Sequence, residues 1–244
     1  MQVLILRLAG PLMSFGNVAI DEIRPTLQLP ARSMLTGLLA NALGLDHRDV
    51  DGLQRLQERL RFAARLDRRG SLLRDYQTAR LNKKDPLWTT RGIPADRAGG
   101  GSTWDAHGFG TVERERYYLA DAAVTVALTL VPAEEAPNLA ALEAALRRPE
   151  RPLFIGRKGC PPSRPLLDRV VAAESLVAAL DQVPPAGPTR VTTEVVVIET
   201  EDEPGEPEAQ RVIAVADRRD WRLGLHAGQS RRRELRRPLP AGAS

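Results

Sequence analysis

Three features of this 244-residue sequence predict an α+β fold. An apolar run at residues 2–8 and an alternating run at 118–130 read as strands. A helical pattern follows each of them. Shorter strands near 62–66 and 152–156 complete the order β-α-β-β-α-β, the ferredoxin-like (RRM-like) arrangement. Such an antiparallel sheet carries helices on one face and is expected to leave the other free for a ligand or partner. A small β-rich unit follows in the C-terminal third. The expected division is a domain over 1–182, with an insertion at 80–116, and a hairpin domain with a basic tail over 189–244.

Each element has its own signal. In "RPTLQLPARSMLTGLLANALGL", Met34, Leu35, Leu38, Leu39 and Ala42 form one helical stripe. Ser33 is the expected N-cap, since its hydroxyl can accept from an orphan amide, and Gly44 ends the helix. A second helix near 49–60 shows Leu53, Leu56 and Leu60 on one face. Phe62, Ala64 and Leu66 alternate, as do Leu73 and Tyr76 less clearly. Residues 80–116 show neither period and hold three consecutive glycines, which marks a functional or disordered insertion. Trp88 and Trp104 argue against plain disorder.

Order returns at Tyr118, and Val124, Val126, Leu128 and Leu130 alternate inward. Asn138 caps a helix that buries Leu139, Leu142 and Leu146. "RPLFIGRKGCPP" reads as a short strand entering a basic glycine loop, and a helical or irregular stretch then runs to Gln182. After "VPPAGP", "TTEVVVIET" pairs with "AQRVIAVAD" as a terminal hairpin with an acidic tip. The run "RRRELRR" is expected as a solvated, frayed tail, with a phosphate-contacting arm as the alternative.

Composition narrows the function classes. The 43% hydrophobic and 27% charged fractions are those of a soluble protein, and 4% aromatics demand an aliphatic core. No membrane span or signal peptide is read, and the single cysteine, Cys160, forms no internal disulfide. A cytoplasmic location is expected. The net charge of +4 fits a polyanion partner without requiring one. His47, His107 and His226 have no metal-ligand spacing and no nucleophile near them in sequence. Cys160 lies beside Arg157 and Lys158, yet without a partner base it reads as a packed thiol. No phosphate-loop or dinucleotide fingerprint occurs. Neither a metal, a cofactor nor a catalytic residue is predicted.

The signals for RNA binding lie in two loops. "IGRKG" sets Arg157 and Lys158 between Gly156 and Gly159. Small residues let backbone amides approach a phosphate, and the cations supply charge. "GPLMSFG" offers Gly10, Pro11, Ser14 and Gly16 at the end of the first strand. Each alone is compatible with an ordinary tight turn. Together, at the ends of the first and last strands, they are expected to form one basic seam. The aromatics of a base-stacking sheet face are missing, so recognition is assigned to loops.

"LRLAGPLMSFG", "RPTLQLPARSMLTGLLANALGL", "LRDYQT", "RYYLADAAVTVAL" and "PLFIGRKGCPP" resemble, in order and spacing, the CasD-type subunits of the type I-E CRISPR surveillance complex, Cascade. These make up the fifth Cas family of the RAMP superfamily. The resemblance covers residues 2–167. It implies a ferredoxin-like RNA-binding domain with a long thumb, here residues 80–116, and a small C-terminal β domain. It further implies a subunit that holds the 5′ handle of the CRISPR RNA at one end of the complex. The implied partners are that RNA, the backbone and large subunits, and target DNA near the PAM-proximal end. Arg24, Arg32, Arg157 and Lys158 would pair with handle phosphates. Gly10, Pro11, Ser14, Gly16, Ser33, Gly156 and Gly159 would shape the pocket. Lys83, Lys84, Trp88, Arg91, Trp104 and Arg114 would guide the strand along the thumb. Two departures matter. Gln77 stands where the family commonly has His and cannot act as a general base, which argues against RNA cleavage. Ala31 stands where the family usually has Thr. The alternative is a metal-independent endoribonuclease acting through Tyr76, Lys83 or His107, and a third reading is a module whose thumb binds only protein.

Overall fold

The computed structural model describes residues 1–19, 22–80, 111–186, 193–199 and 211–238. Its elements are β1 (Gln2–Ala9), β2 (Leu12–Met13), β3 (Ile23–Arg24), α1 (Arg32–Leu43), α2 (Val50–Arg59), β4 (Leu60–Arg68), β5 (Ser71–Arg80), β6 (Thr111–Ala120) and β7 (Ala123–Leu130). Then follow α3 (Leu139–Arg147), β8 (Leu167–Ala172), α4 (Leu176–Asp181), β9 (Thr193–Glu199), β10 (Arg211–Val215), β11 (Arg219–Asp220), β12 (Leu225–His226) and β13 (Ser230–Pro238). The fold is mixed α/β with antiparallel sheets.

The main sheet has seven strands in the order β10-β13-β9-β4-β7-β1-β8. Its centre is the pair β1 and β7, joined from Leu4 opposite Leu128 to Ala9 opposite Ala123. The strand period of two splits their side chains between two cores. Leu4, Leu6, Leu8, Val124, Val126 and Leu128 face α1, α2 and α3. Val3, Ile5, Ala63 and Ala127 face the other way, onto Leu176, Val177, Ala179 and Leu180 of α4. The second face, expected to be free, is therefore occupied by a helix. A smaller sheet runs β2-β6-β3, with β5 on β6 from Ser71 opposite Ala120 to Arg80 opposite Thr111.

Beneath α4 lies a polar group of residues. Asp67 of β4 is buried and accepts from Arg7 Nη1 at 3.4 Å, Arg65 Nε at 2.6 Å, the Thr125 hydroxyl and the Ala186 amide at 2.8 Å. Burial holds the Arg7 guanidinium below its ordinary value, and the nearby Asp67 and Asp168 carboxylates oppose that shift. Two buried cations sharing one buried carboxylate tie β1 to β4, with Asp168 as a second partner of Arg7 at 3.3 Å.

Several expectations are corrected. Residues 152–156 form no strand. Pro152 removes one ladder donor at its start, prolines at 161, 162 and 165 follow it, and the closing strand is β8. β6 begins at Thr111, so residues 111–116 are strand and not insertion. β9 does not pair with β10: β13 lies between them, with Leu235 opposite Val196 and Ile213 opposite Arg232. "RRRELRR" is that middle strand, not a frayed tail, and it buries Arg232 and Leu235. β9 also pairs with β4 through Ala63 opposite Ile198, so the C-terminal strands continue the main sheet.

The cap of α1 is a further correction. The N-cap is Ala31, which has no capping side chain, and Ser33 sits inside the first turn. Asp217, from far along the chain, replaces it. Its Oδ2 accepts from the Arg32 amide at 3.0 Å and its carbonyl accepts from the Ser33 amide at 3.0 Å. The same carboxylate pairs with the buried Arg232 guanidinium. Burial acts against charge on Asp217, but Arg232 and the Arg32 amide outweigh it, and its pKa lies below the usual carboxylate value. The other predicted caps are present: Asn138 accepts from the Ala141 amide at 3.0 Å, and Gly44 ends α1 at φ +75°.

Asp217→Ala is expected to cost about 3–5 kcal/mol in urea unfolding, because it leaves Arg232 buried without its partner. A loss below about 1 kcal/mol would contradict this account. A group held below its unfolded pKa stabilises above that value and ceases to as pH falls through the folded one. The stability gap between the wild type and Asp217→Asn should thus be constant from pH 8 to about pH 5 and close on further acidification.

Candidate nucleic-acid interface

Residues 9–16 and 154–163, the two predicted glycine loops, lie side by side. The Ser14 amide donates to the Ile155 carbonyl at 3.2 Å, and the Ser163 amide donates to the Ala9 carbonyl at 2.9 Å. The loops meet as expected, and two of their glycines have a packing role that sequence reading did not assign. Gly156 has φ +92°, and a Cβ placed on it would lie 1.6 Å from the Ser14 carbonyl oxygen. A Cβ on Gly10 would lie 2.8 Å from the Pro161 carbonyl oxygen. Both glycines serve the approach of one loop to the other. Gly16 takes φ +74° with open space beside it, and Gly159 also faces open space. Of the expected pocket residues, Pro11, Gly16, Gly156, Lys158 and Gly159 are exposed.

Three expected contacts turn inward. Arg32 is 1% exposed and its Nη1 donates to the Gln57 and Leu60 carbonyls at 2.7 and 2.8 Å. It joins α1 to the start of β4 and is not available to a phosphate. Ser14 is buried, and its hydroxyl donates to the Tyr117 carbonyl at 3.3 Å. Arg157 is half-buried. It donates to the Tyr117 carbonyl at 3.1 Å and to the Arg24 carbonyl at 2.9 Å, and its guanidinium stacks on the Tyr118 ring at 4.7 Å. Arg157 thus clamps the loop to β6 and β3, a use for which the planar fork of arginine suits and lysine does not.

Three of the expected cations keep exposed or partly exposed side chains. Lys158 is exposed at the loop tip. Arg24 lies half-buried on β3, which runs parallel to β6 with Arg24 opposite Arg116. Arg114 of β6 is half-exposed, with its guanidinium 3.8 Å from Glu22. Lys83, Lys84, Trp88, Arg91, Trp104 and His107 lie outside the described residues.

Lys158 and Gly156 also border a cleft of about 280 Å³ that sequence reading did not find. Its other walls include Ser33, Met34 and Gly37 of α1, with Phe154, Arg151, His47 and Trp221.

Among the described residues the seam holds no acid–base pair. Tyr76 is exposed on β5, and a hydrogen bond with Glu113, with some desolvation, raises its phenol above the usual value. Gln77 Nε2 donates to Asp75 Oδ2 at 2.6 Å. Cys160 is buried, and desolvation raises its thiol above the ordinary value despite the neighbouring Arg157. No group of three or more His, Cys, Asp or Glu able to hold a metal occurs among the described residues, nor does a helix long and apolar enough to cross a membrane.

Comparison with known proteins gives consistent results. Residues 3–233 match the family model described as CRISPR-associated protein (Cas_Cas5). The chain is 35% identical over 192 residues to the CRISPR system Cascade subunit CasD of Escherichia coli (strain K12), covering 75% of this chain and 78% of that one. Among solved structures, a chain of a CRISPR RNA-guided surveillance complex superposes with a TM-score of 0.66 at 27% identity, over 98% of this chain and 91% of that one. A second, titled crystal structure of Cas protein, gives a TM-score of 0.60 at 29% identity, over 98% and 95%.

Gly156→Ala is expected to destabilise the protein by about 2 kcal/mol or more, since its Cβ meets backbone and its φ is unfavourable. Gly159→Ala, facing open space, should stay within about 0.5 kcal/mol of wild type. Equal melting temperatures for the two variants would refute the packing assigned to this seam.

Proposed function

The chain belongs to the CRISPR-associated Cas5 family, and from that premise we propose that it is a non-catalytic subunit of a type I-E CRISPR surveillance complex, Cascade. In this reading it binds the 5′ handle of the CRISPR RNA and caps one end of the complex. The RNA, the backbone subunit and the large subunit are its partners, with target DNA near the PAM-proximal end. The ferredoxin-like reading is supported by the order β8-β1-β7-β4, in which the two helical crossovers follow β1 and β7. Residues 81–110, between β5 and β6, would be the body of the thumb.

The observation that carries the proposal is the convergence of the two loops, locked by Arg157, into one seam with Lys158 and Gly159 facing outward. A seam of exposed backbone flanked by cations suits the sugar-phosphate edge of a bent single strand. Its phosphate contacts fall to Lys158, Arg24 and Arg114, with Pro11, Gly16 and Gly159 as the floor. Arg157, Gly156, Gly10 and Ser14 hold that floor in shape, and Arg32 and the Ser33 amide belong to the support behind it.

Each phosphate contact made with single-stranded RNA contributes about 0.7 to the slope of log K against log salt. Lys158→Ala and Arg114→Ala should each reduce the slope for handle RNA by about that amount, with unchanged melting temperature. Unchanged slopes in both variants would remove the seam from the RNA path. Specific cutting of labelled repeat RNA in the presence of EDTA would instead establish the endoribonuclease alternative.

A further inference from the structure

We propose that the cleft between α1, the 149–158 loop and Trp221 receives one unstacked base of the bound RNA. The inference rests on the RNA-binding reading above and adds a subsite to it. At about 280 Å³ the cleft falls just below the usual range of small-molecule pockets, roughly 300–1,000 Å³. That suits a flat fragment whose backbone stays outside. Its walls are largely apolar and aromatic: Met34, Leu38, Phe154 and Trp221. Lys158 stands at its edge and belongs equally to the seam proposed for phosphates, so a strand following the seam passes the mouth.

Two further observations select a neutral base over an anion. The cleft runs along α1 from Ser33 to Asn41, and one end of it adjoins the helix N-terminus, which would ordinarily attract phosphate. Here Asp217 already occupies the Arg32 and Ser33 amides with its carboxylate and carbonyl. The positive end of the helix is neutralised, and a second anion there would meet a carboxylate. Conversely, the Trp221 indole N–H is enclosed and out of reach of the cleft, so Trp221 contributes ring surface there, which suits stacking on a neutral base. Arg219 stacks on the indole at 5.1 Å and helps hold the ring in place.

Gly37 gives the test a handle. A Cβ there would sit 3.9 Å from Trp221 Cη2, an ordinary contact, so a larger side chain at this position enters the cleft without cutting an existing interaction. Replacing glycine within a helix also favours the fold. Gly37→Leu in the full chain should therefore keep its melting temperature yet bind handle RNA about tenfold more weakly, within the range for loss of one stacked base. RNAs carrying a single abasic site at each handle position in turn, which remove a base and keep its phosphate, should show one position costing the wild type a similar factor. That position should cost Gly37→Leu nothing further. If Gly37→Leu binds every RNA as the wild type does, or weakens all of them equally including every abasic one, the cleft holds no base. If RNA binding is intact but assembly with the other subunits fails, the cleft takes a protein side chain and the proposal is wrong. Failure of the wild type to bind handle RNA at all would overturn the RNA-binding reading itself, a result distinct from intact binding with no sensitive position.

Discussion

A single carboxylate near the C-terminus organises this molecule. Asp217 stands where α1 lacks a capping side chain of its own, and it neutralises the buried Arg232 of β13 at the same time. The covalent distance between Arg32 and Asp217 is most of the chain, so the entry of the first helix is complete only when the last strand has docked. This dependence explains how an arginine-rich C-terminal run comes to be a middle strand of the sheet extension. Arg232 is drawn in by Asp217, by the Pro30 carbonyl at 3.0 Å and by the Phe62 ring at 5.7 Å, while Arg231 is left in solvent. Trp221 reaches α1 through the same docking and closes one wall of the cleft.

The two faces of the main sheet are held differently. The face toward α1, α2 and α3 is a broad aliphatic core, as a chain with few aromatics must build. The face toward α4 has a small apolar patch beside the buried set Arg7, Arg65, Asp67 and Thr125. There the ordering comes from hydrogen bonds with few alternatives, including Arg65 Nη1 to the Leu180 carbonyl at 2.7 Å.

Much of the frame was legible in the sequence, because periodicity and local capping are written over short distances. The runs that became β1 and β7, the stripe of α1, the Gly44 stop and the Asn138 cap all follow from neighbours within a few residues. The two glycine loops also meet, but on other grounds than the expected ones: the second loop precedes β8, the antiparallel neighbour of β1, and does not follow a last strand. What escaped reading depends on distant partners. Nothing near Ser33 reveals that Asp217 supplies the cap. Nothing in "RRRELRR" separates an arginine for water from one for a buried carboxylate. β8 is half-exposed at the sheet edge, and its pattern is weaker than that of the central strands. At the candidate site, residue type pointed to cations and glycines correctly, but whether Arg157 faces phosphate or the Tyr117 carbonyl is decided by packing alone.

The inward use of arginine changes what the basic isoelectric point means. Arg32, Arg59, Arg65 and Arg232 are each at most 3% exposed, and all four donate to main-chain carbonyls, as Arg59 does to those of Pro132, Glu135 and Pro137. Arg59, Arg65 and Arg232 also lie within 4 Å of Glu135, Asp67 and Asp217, so these three charges are paired within the fold and their field outside it is reduced. Cation-exchange retention should accordingly be weaker than the sequence-derived value of 9.7 suggests. The long-range pull on a polyanion is then modest, and selectivity falls to short-range fit at a few well-placed side chains.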